Sequence, residues 1–440
     1  MTALPAPFKV DPLIAEARRR QRRRRLVLIA AVVASAATGV GLWRATSNGS
    51  SPAARVPRLS IAQAAHTAFV SDEGMTGGVG WAMNGLGLWL TTDGGRTWLT
   101  ATPPHVRATG DAVARIGQIQ FVDPKHGWLT AGDVFGGFKI PKHAASLRHM
   151  EIDRTTDGGR TWKASVPPGC LETCGGDYIS FLDTRHGFAI ATKGLFKTND
   201  GGASWTRVSR PPFAGAITFL DERHGFGVSD SFRWAPPKYD IPIGGGVLYR
   251  TVDGGVTWSR VVLRAPRAYA RWERTSDPVT FFDNRNGVVP VRFRDPRTHA
   301  QRLVVYATSD GGATWTARPA PATVTWSATW GLPTTWYFSA PNARDWVVTG
   351  KRVLYVTADG GLTWRTIHPR DVPRGGSIWN AVFSSADDGW AIFAQPGMTA
   401  YPALVQTTDG GRDWSALAPP VPKPKPIPTR TVCASWCQRP

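Results

Sequence analysis

One eight-residue motif occurs seven times in this chain, and its spacing restricts the possible folds more than any other feature. Each copy reads Thr-x-Asp-Gly-Gly-x-Thr-Trp, with Ser or Asp replacing the second Thr in two copies. Successive copies are about 53 residues apart on average, close to the roughly 40–50 residues of a four-stranded propeller blade. The spacing therefore predicts an all-β fold, a seven-bladed β-propeller over residues 61–418.

Each motif is predicted to form the turn of a β-hairpin. The two glycines adopt positive φ without a Cβ clash, and the Asp carboxylate accepts hydrogen bonds from turn amides. The closing Trp is large enough to fill the gap between neighbouring sheets, burying roughly 150–250 Å². Seven equivalent acids spread around a ring cannot all be catalytic. We therefore assign a structural role to the seven aspartates, Asp93, Asp157, Asp200, Asp253, Asp310, Asp359 and Asp409.

A second motif, Phe-x-Asp-x-x-His-Gly, precedes the Asp-Gly-Gly motif in several repeats. It starts at Phe121, Phe181 and Phe219, with looser copies starting at Phe69, Phe282, Phe338 and Phe383. Each blade then has strand A through the Phe, strand B after the Gly, strand C into the Asp-Gly-Gly motif and strand D after its Trp. The histidines of this motif are His126, His186 and His224. They occupy equivalent turns in different blades, so we interpret them as turn residues and predict neither a metal site nor a cofactor.

The N-terminal segment predicts attachment to a membrane. Residues 1–25 include seven arginines, and the 18-residue stretch 26–43 carries no charge. That length is the lower limit for a membrane-spanning helix, and the positive-inside rule keeps residues 1–25 in the cytoplasm and the propeller outside. The alternative is a cleaved signal sequence and a secreted protein, because Ala34-Ser35-Ala36 has the small-residue form of a cleavage site.

Residues 44–60 are predicted to be a flexible linker, and residues 419–440 a Pro-rich, extended tail. The chain has four cysteines in two close pairs. Outside the cytoplasm such pairs favour disulfides, although three pairings remain open. The candidates are Cys170, Cys174, Cys433 and Cys437.

The candidate binding surface comes from an asymmetry between the two faces of the ring. One face, here the motif face, carries the A–B turns and the Asp-Gly-Gly motifs, which are short and uniform. The opposite loop face carries the B–C and D–A loops, whose lengths differ, and recognition is expected there. The net charge is +20, which favours an anionic partner. The predicted ligand-binding residues, in blades four and five, are Arg264, Arg267, Arg271, Trp272, Arg292, Arg294, Arg297 and Arg302.

The Asp-Gly-Gly motif resembles the Asp box, or BNR repeat, of sialidases, xyloglucan-degrading glycosidases, sortilin-type receptors and photosystem II stability/assembly factors. With the Phe-x-Asp turn ahead of each box, the chain is most similar to the assembly-factor group. That resemblance implies a non-enzymatic binding scaffold. Together with the predicted location and the positive charge, we expect an extracytoplasmic scaffold that holds a protein or an anionic cell-envelope ligand. Nucleic acid is not an expected partner, because the propeller is predicted to lie outside the cytoplasm.

The alternative function is a secreted or membrane-anchored glycoside hydrolase, sialidase-like, acting on envelope polysaccharide. Lys139-Ile140-Pro141 is a poor match to the sialidase Arg-Ile-Pro motif because it lacks the Arg and follows the first box. A glycosidase needs two carboxylates about 5–10 Å apart. The acids outside the motifs are Glu73, Asp111, Glu151, Asp153, Glu172, Asp177, Glu273, Asp277 and Asp371. Sugar-stacking candidates are Trp234, Trp272, Trp326, Trp330, Trp336 and Trp379.

Overall fold

The computed structural model describes residues 72–76, 78–84, 87–107, 116–131, 151–167, 178–191, 193–213, 215–229, 246–323, 338–394 and 403–417. The predicted transmembrane segment, the linker, the Pro-rich tail and the four cysteines lie outside these residues. Within them, no helix is long and apolar enough to cross a membrane.

The described strands form seven antiparallel sheets, each a meander of consecutive strands. Blade one contains β1 (Asp72–Thr76), β2 (Val79–Asn84), β3 (Gly87–Thr91) and β4 (Leu99–Thr100). After the short helix α1 (Pro104–Arg107), blade two contains β5 (Ile116–Phe121), β6 (Gly127–Ala131), β7 (Glu151–Thr155) and β8 (Lys163–Ser165). Blade three contains β9 (Tyr178–Phe181), β10 (Gly187–Ala191), β11 (Gly194–Thr198) and β12 (Thr206–Ser209).

The remaining four blades follow the same order. Blade four contains β13 (Ile217–Phe219), β14 (Gly225–Val228), β15 (Leu248–Thr251) and β16 (Ser259–Val261). Blade five has its strand A in two parts, β17 (Glu273–Ser276) and β18 (Thr280–Phe281), followed by β19 (Gly287–Arg294), β20 (Gln301–Thr308) and β21 (Thr316–Thr323). Blade six contains β22 (Phe338–Ser339), β23 (Trp346–Thr349), β24 (Leu354–Thr357) and β25 (Arg365–Ile367). Blade seven contains β26 (Ser377–Phe383), β27 (Gly389–Ala394), β28 (Ala403–Thr407) and β29 (Ser415–Ala416).

The seven sheets close into a ring through their first strands. β1 contacts both β5 and β26, so blade one packs between blades two and seven. Each described sheet takes its strands from one continuous stretch of chain, so the ring closes by side-chain packing rather than by strand exchange. Ala82 of blade one shares an apolar cluster with Trp390 and Leu404 of blade seven at this junction. The predicted all-β, seven-bladed propeller is confirmed.

The core between blades is built from aromatic stacks. Phe181 of blade three lies parallel to Trp128 of blade two, with ring centroids 3.6 Å apart. Its other neighbour is the Asp-Gly-Gly motif tryptophan of its own blade, Trp205, which meets it edge-on at 6.0 Å. Phe188 and Phe219 repeat the stack one blade further on, again at 3.6 Å. Stacked and edge-on rings combine large apolar burial with favourable quadrupole geometry.

Glycine at the start of strand B makes room for these phenylalanines. In five blades the Phe of strand A pairs directly with that glycine, and a Cβ there would lie 2.4–2.7 Å from the Phe Cδ1 atom. Real Cβ atoms do not approach an aromatic ring so closely, so this turn requires glycine for packing. In blade five the paired phenylalanine is Phe281, not the predicted Phe282.

Blade six reverses the sizes of this pair. Ser339 pairs with Val347, and continuing that register by one residue places Ala340 opposite Trp346. The small residue is now on strand A and the large one on strand B, where the other blades have glycine. Phe338, the predicted counterpart, lies two residues too early. The gap between blades is filled in both arrangements, because only the combined volume of the pair has to be preserved.

Polar side chains link the first strands of neighbouring blades. The side-chain amides of Gln118 and Gln120 on β5 each bind one β9 residue through two hydrogen bonds of 2.8–3.1 Å. The amide oxygen accepts from the backbone N–H, and the amide nitrogen donates to the backbone carbonyl. Ser180 on β9 in turn accepts from the backbone N–H of Phe219, at 2.9 Å. These bonds satisfy backbone groups at sheet edges that face the next blade.

Candidate functional site

The Asp-Gly-Gly motifs are closed by their own hydrogen bonds. In blade four, Asp253 Oδ2 accepts from the Thr257 hydroxyl at 2.6 Å and Oδ1 accepts from the Thr251 hydroxyl at 2.8 Å. The hydrogen bond from the Thr257 hydroxyl is the largest of the effects that lower the pKa of Asp253 to about 2. The two glycines of every motif have φ between +71° and +91°, as the sequence predicts for this turn. The carboxylate is therefore fully engaged inside its turn.

The A–B turns are bound to the motifs of the same blade. In blades two to seven, the first motif glycine donates its N–H to a carbonyl of the A–B turn, at 2.7–2.9 Å. The side chains of Arg185, Arg285 and Arg344 donate Nε to the carbonyl that precedes the motif Asp. His126 Nδ1 lies 2.9 Å from Asp123 Oδ2 in its own turn. Much of the polar surface of the motif face therefore holds turns together.

The eight predicted ligand-binding residues all lie around blade five. Arg264, Arg267, Arg271 and Trp272 are in the connection between β16 and β17, and the other four are on the β19–β20 hairpin. The two groups meet because Glu273, directly after Trp272, pairs with Arg294 in the sheet. β19 and β20 have eight residues each, whereas the equivalent described strands of other blades have four to six.

Two of the predicted arginines are neutralised by acids of the same blade. Arg292 contacts Asp277 at 3.2 Å, and Arg294 contacts Glu273 at 2.8 Å. Burial raises the pKa of Asp277, and the positive charge of Arg292 opposes that effect. The half-buried Arg302 donates to the neighbouring Gln301 carbonyl at 2.8 Å. The exposed members of the set, here the arginine arc, are Arg264, Arg267, Arg271 and Arg297.

The backbone below the arginine arc is fixed by packing. Tyr269 contacts Trp272 at a centroid distance of 4.9 Å and Phe293 of the hairpin at 5.6 Å. Tyr306 donates its hydroxyl to the Arg264 carbonyl at 2.9 Å, and burial raises the pKa of this tyrosine to about 12. Trp272 therefore supports the connection from beneath rather than standing as a free stacking platform.

A cluster that the sequence did not predict lies between blades one and two. His105 Nε2 of α1 is 3.1 Å from Asp153 Oδ2 and 3.4 Å from Glu151 Oε2, both on β7. The Asp153 side chain is only 1 % exposed. The contact with this carboxylate is the largest cause of the raised pKa at His105, and burial opposes it. The sequence shows Glu151 and Asp153 two residues apart on strand C. It does not show that His105 lies beside them, because His105 is more than 40 residues earlier in the chain.

The remaining acids do not form an open glycosidase pair in the described part of the chain. Glu273 and Asp277 pair with arginines, and Asp371 accepts the backbone N–H of Trp414 at 2.8 Å. Glu151 and Asp153 project from the same strand towards one histidine, rather than facing each other across a cleft. The side chains that lie outside the description are Glu73, Asp111, Glu172, Asp177, Trp234, Trp326, Trp330, Trp336 and Trp379, together with the segment 139–141.

The chain matches no protein-family model. A xyloglucanase from Paenibacillus sp. is 28 % identical over 205 residues, covering 41 % of this chain and 19 % of the relative. Xyloglucanase Xgh74A of Acetivibrio thermocellus is 28 % identical over 206 residues, covering 40 % of this chain and 23 % of the relative. The matched region thus spans about a fifth of the length of these curated relatives.

The chain is similar to several solved structures. The GH74 xyloglucanase from Xanthomonas campestris superimposes with a TM-score of 0.55 at 13 % identity, covering 82 % of this chain and 56 % of that one. YCF48 from Cyanidioschyzon merolae gives a TM-score of 0.46 at 16 % identity, with 78 % and 96 % covered. A structure of YCF48 bound to a D1 peptide gives a TM-score of 0.44 at 16 % identity, covering 69 % of this chain and 80 % of that one.

Proposed function

We propose that this chain is a membrane-tethered, extracytoplasmic β-propeller that binds a protein or an anionic cell-envelope ligand and performs no chemistry on it. The supporting observation is the arginine arc: four exposed arginines on one fixed connection and one hairpin of blade five, on the loop face. Three described acids outside the motifs are also already engaged: Glu273 and Asp277 pair with arginines, and Asp371 accepts a backbone N–H.

The arc is suited to anions because its framework is rigid before the ligand arrives. The contacts of Tyr269 and the ion pairs of Arg292 and Arg294 hold the connection against the hairpin. The backbone then loses little entropy on binding, and only the arginine side chains have to be ordered. Each guanidinium presents a planar set of donors that binds a carboxylate or phosphate through two parallel hydrogen bonds. Such contacts hold an acidic ligand without activating a bond within it.

Localisation outside the cytoplasm is part of this proposal and rests on the arginines of residues 1–25 and the uncharged stretch 26–43. Protease treatment of intact cells, followed by membrane fractionation, tests it. We expect the propeller to be accessible to protease and to sediment with membranes. A shortened product starting near residue 37 would indicate the secreted form, and a full-length soluble product protected inside the cell would contradict the proposal.

The second candidate function is hydrolysis of an envelope or xyloglucan-type polysaccharide. The partial sequence match to two xyloglucanases supports it, although that match covers 41 % of this chain or less. Release of reducing ends from xyloglucan by the purified full-length chain is the direct assay. Turnover that persists through repeated purification and disappears in a carboxylate variant would show that the chain is an enzyme rather than a scaffold.

Crosslinking in intact cells followed by mass spectrometry tests the scaffold function and identifies the partner. The test variant reverses the charge of three arc residues, Arg264→Glu, Arg267→Glu and Arg271→Glu. The control variant makes the same charge change on the motif face, Arg96→Glu, Lys125→Glu and Arg223→Glu. We expect capture to fall at least about 100-fold in the arc variant alone, because charge-assisted bonds contribute roughly 1.5–3 kcal/mol each. Equal capture by both variants would rule out the arginine arc as the binding surface.

A further inference from the structure

Three side chains with metal-ligating atoms converge where blade one leads into blade two. His105 belongs to α1, in the connection that follows β4, while Glu151 and Asp153 are on β7. Residues two apart on a strand point to the same face of the sheet, so both carboxylates meet the imidazole from one side. One donor atom from each residue lies within 4.8 Å of the other two.

The spacing of these atoms fits three ligands of one metal ion. Ligands about 2.0–2.2 Å from a metal ion are roughly 2.9–3.5 Å apart in tetrahedral or octahedral geometry. The distances from His105 Nε2, 3.1 Å to Asp153 and 3.4 Å to Glu151, fall within that range. Yet neither Nε2 of His105 nor Oδ2 of Asp153 has a hydrogen-bond partner, although both atoms are buried. A metal ion bound by both atoms would satisfy them.

Charge balance within the cluster also favours a divalent ion. A carboxylate that is only 1 % exposed needs a compensating positive charge. A divalent ion bound to the neutral imidazole of His105 would supply that charge beside Asp153. The partial exposure of His105 and Glu151, 27 % and 21 % of their side chains, gives an ion access from solvent.

We propose that His105, Glu151 and Asp153 bind one divalent transition-metal ion, with Zn²⁺ as the preferred metal. Imidazole nitrogen suits Zn²⁺ and its neighbours in the first transition series, whereas Ca²⁺ and Mg²⁺ prefer oxygen ligands alone. Three protein ligands leave one tetrahedral position for water or for an oxygen atom of a bound partner. The ion would also join the exit of blade one to strand C of blade two.

The test uses the full-length chain, purified in detergent and stripped of metal with a chelator. Zn²⁺ binding is measured by competition with a chromophoric chelator, and Co²⁺ serves as a spectroscopic probe. The variants are His105→Gln, Glu151→Gln and Asp153→Asn. His224→Gln is the matched control, because His224 also contacts a carboxylate, Asp221 at 2.9 Å, but in a simple turn.

We expect the wild type and the His224→Gln control to bind one more equivalent of Zn²⁺ than each cluster variant. Co²⁺ at this site should give weak visible bands without a thiolate charge-transfer band, which distinguishes it from binding at the cysteines. Zn²⁺ should raise the melting temperature of the wild type and of the control but not of the variants. Glu151→Gln changes a partly exposed residue, so it reports on binding even if Asp153→Asn unfolds. Equal Zn²⁺ stoichiometry in the wild type and in Glu151→Gln, or equal affinity for Mg²⁺, would overturn the proposal and leave an ion pair.

Discussion

Replacing Gly187 by Ala should destabilise the ring, because the site cannot accept even one methyl group. The new Cβ would lie 2.4 Å from Cδ1 and 2.6 Å from Cε1 of Phe181. Phe181 cannot move away, since Trp128 of the preceding blade is stacked against its other face at 3.6 Å. Overpacking of this kind costs about 1–3 kcal/mol. The gain from replacing Gly in a strand, about 0.5–1 kcal/mol, is too small to offset it.

A double-mutant cycle with Phe181→Ala isolates that clash from other effects of the substitution. Phe181→Ala alone should cost about 3–5 kcal/mol through the cavity it leaves. In that background Gly187→Ala meets no ring, so it should be neutral or stabilising. The coupling energy equals the clash that is removed, about 1–3 kcal/mol, which lies within the range for residues in contact.

Urea unfolding of the full-length chain, followed by tryptophan fluorescence, measures each free energy of unfolding in the cycle. Phe383→Ala is the matched background, because Phe383 makes the same contact with Gly389 in blade seven. There Gly187→Ala should keep its full cost. An equal cost of Gly187→Ala in the wild-type and Phe181→Ala backgrounds would show that the ring does not enforce glycine.

Three further predictions concern the Asp-Gly-Gly motif of blade four. Asp253→Ala should lower the free energy of unfolding by about 1–3 kcal/mol, because turn donors lose their acceptor; unchanged urea midpoints would contradict this. Trp258→Ala should cost about 3–5 kcal/mol by opening a cavity, measured in the same way, and loss of ligand capture without loss of stability would argue for a binding role instead. The folded pKa of Asp253, about 2, lies below the ordinary aspartate value of about 3.9. Its contribution to stability is thus complete above pH 4 and is lost as the pH falls towards 2. Thr257→Val removes the hydroxyl that donates to Asp253, so the midpoint of acid unfolding should move to higher pH. An unchanged midpoint would show that this hydroxyl does not cause the low pKa of Asp253.

The sequence predicted the parts of the fold that depend on local chemistry. A turn with two positive φ values favours Gly-Gly, and the hydrogen-bond acceptor that closes the turn is an Asp carboxylate, so both are recognisable in the sequence. Seven such turns, spaced by about the length of one blade, were enough to predict seven blades. The A–B turns followed for the same reason, since His126 and Asp123 are three residues apart and meet within one turn.

Features that depend on contacts between blades were not predictable in this way. In blade six the small residue, Ala340, is on strand A and the large residue, Trp346, is on strand B, so the pair keeps its combined volume. A sequence pattern that requires Phe on strand A does not detect this pair. His105 reaches Asp153 only because the connection after β4 passes beside β7. The neutralisation of Arg292 by Asp277 likewise depends on three-dimensional placement, so the sequence overestimated how many arginines on blade five are free.

The two faces of the ring therefore have different capacities for recognition. On the motif face, backbone donors of blades two to seven and arginine donors of three blades bind within their own blade. A ligand there would compete with bonds that hold the turns. On the loop face, the hairpin of blade five has longer strands than its neighbours and carries the exposed Arg297, whose backbone N–H donates to Asp295. Ligand binding can evolve there without breaking a turn. The same separation explains how seven nearly identical motifs are compatible with one specific binding surface.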